Sequence, residues 1–151
     1  MEKLVETTLS LLDKEIAVRN IVCEKHFDSV SRVFFSLDSL KQVFLNVIFN
    51  AVQAMPNGGF LRLRTRETAD KQWVNIDFTD TGLGISEENL SHIFTPFFST
   101  KRESGGTGLG LYLSYTIIKR EGGDIMVKSR EGSGTTFTVK LPIARDGDLA
   151  M

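Results

Sequence analysis

Between residues 80 and 110 the chain runs through a polar, glycine-punctuated region that no single packed helix or strand can absorb. Connections of that length inside a compact domain are usually either functional or disordered. The fold must carry this region at its surface and build a core from what flanks it. Ahead of it, Leu4, Val5, Thr8, Leu9, Leu12 and Ile16 recur at helical spacing and predict an amphipathic first helix ending near Arg19 and Asn20. Residues 21–27 alternate apolar and polar side chains and predict a strand, and residues 32–35 a short second one. Asp38 is the expected N-cap of a helix running through Leu40, Val43, Phe44, Val47, Ile48 and Ala51. Met55, Pro56, Asn57, Gly58 and Gly59 stop that helix.

Residues 60–67 and 72–79 read as two strands of a hairpin joined by Thr68, Ala69, Asp70 and Lys71. A short helix is expected over 87–93, and a longer one over 109–119 with Gly122 and Gly123 as its stop. Strands over 124–129 and 135–141 close the pattern around Glu131, Gly132, Ser133 and Gly134. Helices and strands do not alternate as β-α-β units, which excludes a doubly wound sheet. The expected class is α+β, a two-layer sandwich with helices on one face of a mixed, mostly antiparallel sheet. One domain is expected over 1–144, with a frayed polar tail over 145–151. Arg62, Arg64 and Arg66 alternate with Leu61 and Leu63. A solvated outer sheet face explains that stripe more simply than an acid-binding surface.

Composition narrows the function classes. Hydrophobic residues are 41% and charged residues 25%, ordinary for a globular domain, and the formal net charge is -1. A domain held to nucleic acid by counterion release is usually strongly basic, so no nucleic-acid partner is expected. Cys23 is the single cysteine, which precludes an internal disulfide and makes a reducing, cytoplasmic compartment the simpler expectation. No apolar stretch resembles a signal peptide or is long enough to span a bilayer; the parent protein is expected to be soluble or membrane-anchored.

Four segments carry chemistry. Asn46 and Asn50 lie four apart on an otherwise apolar predicted helix, so they share a face. Buried amides must find partners, and satisfied core amides are the plain alternative to a ligand role. Asp80, Thr81, Gly82, Leu83 and Gly84 follow a strand directly: a carboxylate beside closely approachable backbone suits a flat ligand bearing an amino group. A simple glycine turn is the competing explanation. The spacing does not fit a dinucleotide fingerprint, and no glycine-lysine-serine/threonine run makes a P-loop. Phe94, Phe97 and Phe98 crowd beside Lys101 and Arg102, ahead of Gly105 and Gly106. Finally, Gly106, Thr107, Gly108, Leu109 and Gly110 open a helix, and free N–H groups at such a start make an anion site.

In this order and spacing the four segments resemble the N, G1, F and G2 boxes of sensor histidine kinases, within the Bergerat-fold superfamily that also holds gyrase, MutL and heat-shock chaperone ATPases. The resemblance covers nearly the whole chain. It implies ATP and Mg²⁺ bound between the asparagine helix and a glycine lid. It implies that Asp80 accepts from the adenine amino group, that Thr135 helps bind adenine, and that Gly82 and Gly84 let backbone reach the base. Asn50 matches the magnesium ligand and Asn46 supports the phosphate and metal network. Lys101 and Arg102 are candidates for phosphate contact, and Gly106, Thr107, Gly108, Leu109 and Gly110 would frame the phosphates.

The ATPase branch of that superfamily carries a glutamate where Asn46 stands. An amide cannot take a proton from water near neutral pH, so transfer to a protein acceptor is favoured over hydrolysis. His26 and His92 match no acceptor motif. The resemblance therefore implies a separate dimerisation and phosphoacceptor domain and a response regulator as partners, with the isolated domain a monomer. The turn over Ala54, Met55, Pro56, Asn57, Gly58 and Gly59 and the aromatic segment most resemble the nitrogen-regulation type of sensor kinase. The competing expectations are a gyrase- or chaperone-type clamp and an anti-sigma factor or serine kinase that acts mainly by binding a partner.

Overall fold

The computed structural model describes residues 1–99 and 108–148. Its elements are α1 (Glu2–Leu11), α2 (Asp13–Val18), β1 (Ile21–Phe27), α3 (Leu37–Gln53), β2 (Gly59–Glu67), β3 (Trp73–Asp80), α4 (Glu87–Leu90), α5 (Gly110–Arg120), β4 (Asp124–Ser129) and β5 (Thr135–Pro142). The five strands form one sheet in the order β1-β2-β3-β5-β4. β1 and β2, linked through α3, run parallel, and the other pairs are antiparallel. The architecture is the expected α+β sandwich.

Side-chain alternation decides which face is covered. Leu61 and Leu63 of β2, Val74, Ile76 and Phe78 of β3, and Phe137, Val139 and Leu141 of β5 all point to the helix side and are buried. Against them α3 turns Val43, Phe44, Val47, Ile48 and Ala51, each at most 1% exposed. Phe44 meets Phe78 ring to ring at 5.3 Å with planes at 60°. Each of these side chains other than Ala51 contributes about 1.5–3 kcal/mol on burial, so α3 is the keel of the helical layer, with α1 and α5 packed against it.

The opposite face is solvated, as the arginine stripe predicts. Arg62 pairs with Glu24 at 3.0 Å and Arg66 with Asp77 at 3.2 Å. Thr138 donates to Asp77 at 2.7 Å, and the hydroxyls of Thr79 and Thr136 lie 2.9 Å apart.

Several expectations need correction. The first helix breaks at Leu12, where ψ of 11° leaves the helical well, and resumes as α2. Residues 32–35 do not form a strand: Val33 makes one isolated bridge to Ile143, and Ala144 N–H reaches the Arg32 carbonyl at 2.8 Å. That anchor is too short to extend because the chain must turn at Ser36 into α3. Ser36, not Asp38, is the cap: its hydroxyl accepts Ser39 N–H at 3.3 Å while Asp38 lies in the first turn, where negative charge suits the helix dipole. The short helix α4 ends at Leu90 rather than 93, after a Ser86 cap on Asn89 at 3.3 Å. β3 runs one residue beyond expectation and takes Asp80 into the ladder, and α5 starts one residue later, at Gly110.

Candidate functional site

A cavity of about 350 Å³ opens between α3, α5 and the segment after β3. Asn46 and Asn50 from α3 line one side, Gly108, Gly110 and Leu111 another. Ile85, Ile93 and Phe98 supply apolar wall, and Thr135 closes the end near the sheet. Four segments far apart in sequence therefore share one hollow.

Asp80 stands at the end of β3 directly opposite Thr135 of β5 and is 2% exposed. Its Oδ1 accepts Gly82 N–H at 2.8 Å, which fixes the carboxylate's rotation. Asp80 lines a neighbouring recess of about 310 Å³ rather than the main cavity, and Thr135 walls both. Gly82 and Leu109 belong to neither lining.

Ser129, which the sequence did not single out, organises that end. Its hydroxyl accepts Ile85 N–H at 2.8 Å, lies 2.9 Å from the Gly134 carbonyl and 2.8 Å from Thr135 Oγ1. One hydroxyl carries one proton. If the carbonyl, which can only accept, takes it, then Thr135 donates to Ser129 and keeps its own lone pairs for a ligand's donor. The spacing from Ser129 to Thr135 across a tight turn carried no motif that could have flagged it.

The turn after β3 is clamped between two elements, and its glycines are needed for that. A Cβ on Gly82 would collide with the Ala54 carbonyl at the end of α3, and Leu83 N–H bonds that same carbonyl at 3.0 Å. Gly84 holds φ at +71°, and a Cβ there would strike the Arg130 carbonyl. Gly132 N–H completes the clamp on the Leu83 carbonyl at 2.7 Å. These glycines are needed for chain packing, and Gly84 also lines the cavity.

The aromatic segment divides in two. Phe94 stacks on Tyr115 at 5.2 Å and meets Phe137 edge-on at 6.5 Å, so it is core. Phe98 faces the cavity. Phe97 between them has φ of +65°, rare for a bulky residue, and donates its N–H to the Gly108 carbonyl at 3.0 Å. That bond brings the aromatic segment to the start of α5, whose N-cap residue Leu109 makes no side-chain cap bond. Lys101, Arg102, Gly106 and Thr107 lie outside the described residues.

Asn46 Nδ2 donates to the Gly110 carbonyl at 3.1 Å and to Ser114 Oγ at 3.2 Å. The plain alternative, a satisfied amide, thus holds for its nitrogen. Among the described residues no cluster of three or more His, Cys, Asp or Glu could hold a metal. The oxygens on offer are amides. Such a set fits a hard cation that keeps water and takes most of its ligands from a bound phosphate, as Mg²⁺ does, and does not fit zinc or calcium held by protein alone.

Residues 36–145 match the family described as histidine kinase-, DNA gyrase B- and HSP90-like ATPases. Sporulation kinase E of Bacillus subtilis is 35% identical over 97% of this chain, which spans 20% of that relative. Sensor histidine kinase ZraS of Escherichia coli is 38% identical over 95% of the chain, 30% of its own length. The catalytic domain of histidine kinase ThkA superposes with a TM-score of 0.81 at 30% identity, covering 93% of this chain and 92% of that one. The curated relatives are thus several times longer than the matched region. With the sheet, the shared hollow and these likenesses together, the chain belongs to the histidine kinase-, DNA gyrase B- and HSP90-like ATPase family, as an ATP-binding domain of the histidine kinase type.

Proposed function

We propose that this domain binds ATP with Mg²⁺ and transfers the γ-phosphoryl group to a histidine on a separate helical hairpin, from which a response regulator's aspartate receives it. The observation that carries the reading is a main cavity and an adjoining recess of unlike chemistry that share Thr135 as a wall. Toward the sheet, Asp80 and Thr135 offer acceptors for the amino group of a purine. Toward the helices, two amides line the cavity beside the start of α5, where helix N–H groups and dipole favour anionic phosphate.

In this reading Asp80 accepts from the adenine amino group, a charge-assisted bond of about 1.5–3 kcal/mol. Thr135 adds an acceptor beside it, and Ile85, Ile93 and Phe98 enclose the ring plane. Gly106, Thr107, Gly108, Leu109 and Gly110 present main-chain donors to the phosphates, with Lys101 and Arg102 as charge partners. Bound Mg²⁺ would neutralise and align the phosphate oxygens; Asn50, with Asn46 beside it, supplies the protein's oxygen to it. Positioning and charge neutralisation do most of the work in such transfers. Asn46 cannot accept a proton from water, which leaves hydrolysis slow and a protein acceptor the productive route.

A response regulator as the onward acceptor is supported by a solved complex of histidine kinase ThkA with response regulator protein TrrA. Its kinase chain is 27% identical to this one with a TM-score of 0.79, and the match covers 40% of that chain. Mixing the domain with γ-labelled ATP and a separately made acceptor hairpin tests the proposal. Acid-labile, base-stable label on the hairpin is the expected result. Acid-stable label on a serine would point instead to the serine-kinase reading.

A further inference from the structure

Three groups converge on one point beside the cavity. Asn46 of α3 sends its amide nitrogen to α5, onto the Gly110 carbonyl at 3.1 Å and Ser114 Oγ at 3.2 Å. Ser114 donates its own proton to the same Gly110 carbonyl at 2.9 Å. It is a fully buried polar side chain, at 0% exposure. A helical serine commonly satisfies itself on the carbonyl four residues back. Here that habit has a consequence for its neighbour.

A carbonyl oxygen can only accept. The Ser114 oxygen, with its proton already given away, can also only accept. Both acceptors face the Asn46 side chain, so the amide has one permitted orientation, nitrogen toward α5. With both N–H protons committed, the oxygen is what Asn46 retains for the cavity it lines. The same chemistry selects against a carboxylate at this position. A carboxylate oxygen in the place of the Asn46 nitrogen would meet the Gly110 carbonyl with no proton to share, and would be satisfied only if Ser114 turned its proton away from that carbonyl, which undoes the clasp.

We propose that Ser114 is a positioning residue for the phosphate end of the hollow: through Gly110 it locks the Asn46 amide oxygen toward the nucleotide and clasps the start of α5 to α3. The inference rests on the nucleotide-binding reading above and adds to it a residue outside the four recognised segments. It also gives the chain a structural reason to keep an amide, rather than a water-activating carboxylate, at residue 46. Gly110 is compatible with this arrangement, since a Cβ built there would lie 3.7 Å from the Asn46 side chain, an ordinary contact; the clasp depends on its carbonyl, not on its lack of a side chain.

The test is the affinity of the 151-residue chain for ATP, measured by calorimetry with Mg²⁺ and again with EDTA. Ser114→Ala should weaken Mg²⁺-ATP binding by about tenfold, the scale of one hydrogen bond, and leave metal-free ATP binding within about twofold. In an Asn46→Ala background the same change should have no further effect on the ratio of the two affinities. A packing role alone would lower the melting temperature and weaken both affinities together. An unchanged ratio in Ser114→Ala, or equal effects in both backgrounds, overturns the clasp. A wild-type chain that binds no ATP at millimolar concentration overturns the nucleotide reading itself.

Discussion

Asp80 and Thr135 stand opposite each other at the last rung of the β3–β5 ladder, buried to 2% and 5% exposure. The pairing brings a carboxylate and a hydroxyl together at one end of the sheet, with the Ser129 hydroxyl of β4 2.8 Å from Thr135 on its other side. Gly134, immediately before Thr135, lets the strand close on Asp80: a Cβ at Gly134 would overlap the Asp80 carbonyl. Each has a partner in the fold, Gly82 N–H on Asp80 at 2.8 Å and the Ser129 hydroxyl on Thr135 at 2.8 Å, and a purine donor is the further partner of this pair in the proposed reading.

Asp80→Asn is therefore expected to cripple ATP binding. Replacing the acceptor carboxylate with an amide that can present a donor should cost about 1.5–3 kcal/mol, or roughly tenfold to over a hundredfold in Kd. Calorimetric titration checks it, and wild-type affinity would remove Asp80 from the adenine site.

Asn50→Ala should separate nucleotide binding from metal. The half-buried Asn50 lines the cavity one helical turn from Asn46. With its oxygen gone, ATP affinity is expected to lose its dependence on Mg²⁺ and phosphotransfer to fall below detection. A persisting metal dependence would place the ion on another group.

Gly84→Ala is a stability prediction. The residue needs φ of +71° and its missing side chain leaves room for the Arg130 carbonyl. An alanine meets both a disfavoured backbone and a backbone collision, for a loss of about 2 kcal/mol or more. For a domain of this size that lowers Tm by about 4–8 °C, readable by calorimetry or circular dichroism. An unshifted Tm would show that the turn relaxes freely.

Glu67 predicts a pH dependence. Its carboxylate accepts Ser31 N–H at 2.5 Å and the Lys71 ammonium at 3.0 Å. A bond from the Ser31 hydroxyl foremost, then the Lys71 bond and the Ser31 N–H, lower its pKa from the ordinary 4.5 to about 2. The unfolded chain then binds more protons than the folded one between those values, so stability rises with pH there. The contribution is complete above about 4.5 and disappears as pH falls through about 2. Glu67→Gln should lower Tm at pH 6 by a small, salt-sensitive amount, and the gap should close near pH 2. A gap that stays constant across the acid range would show that the carboxylate's charge is not involved.

Much of this protein is legible along the chain. The period of α3 and the alternation of β2, β3 and β5 each follow from neighbours a few residues apart, and so does the fold class that they imply. The four segments announce themselves because their chemistry is local: amides one turn apart, a carboxylate before glycines, glycines opening a helix. Boundaries were less legible where two residues offered the same chemistry. Ser36 and Asp38 are both good caps, and the choice fell to the one nearer the bridge from Val33 to Ile143, which fixes where the chain enters α3.

What could not be read were the partnerships. Asn46 meets Gly110 across 64 positions and Ser114 across 68, and Ser129 reaches Ile85 across 44. A serine or an asparagine has the same propensities wherever it stands. Its partner is chosen by sheet register and by how two helices lie against each other, after the local elements have formed. The expected lid over 99–106 falls, apart from Ser99, outside the described residues. Local chemistry along the chain, with the family resemblance its order carries, thus named the ligand class and the fold, whereas the assembled core set which end of the Asn46 amide is held by α5, because hydrogen-bond orientation is a property of packed neighbours and not of residue order.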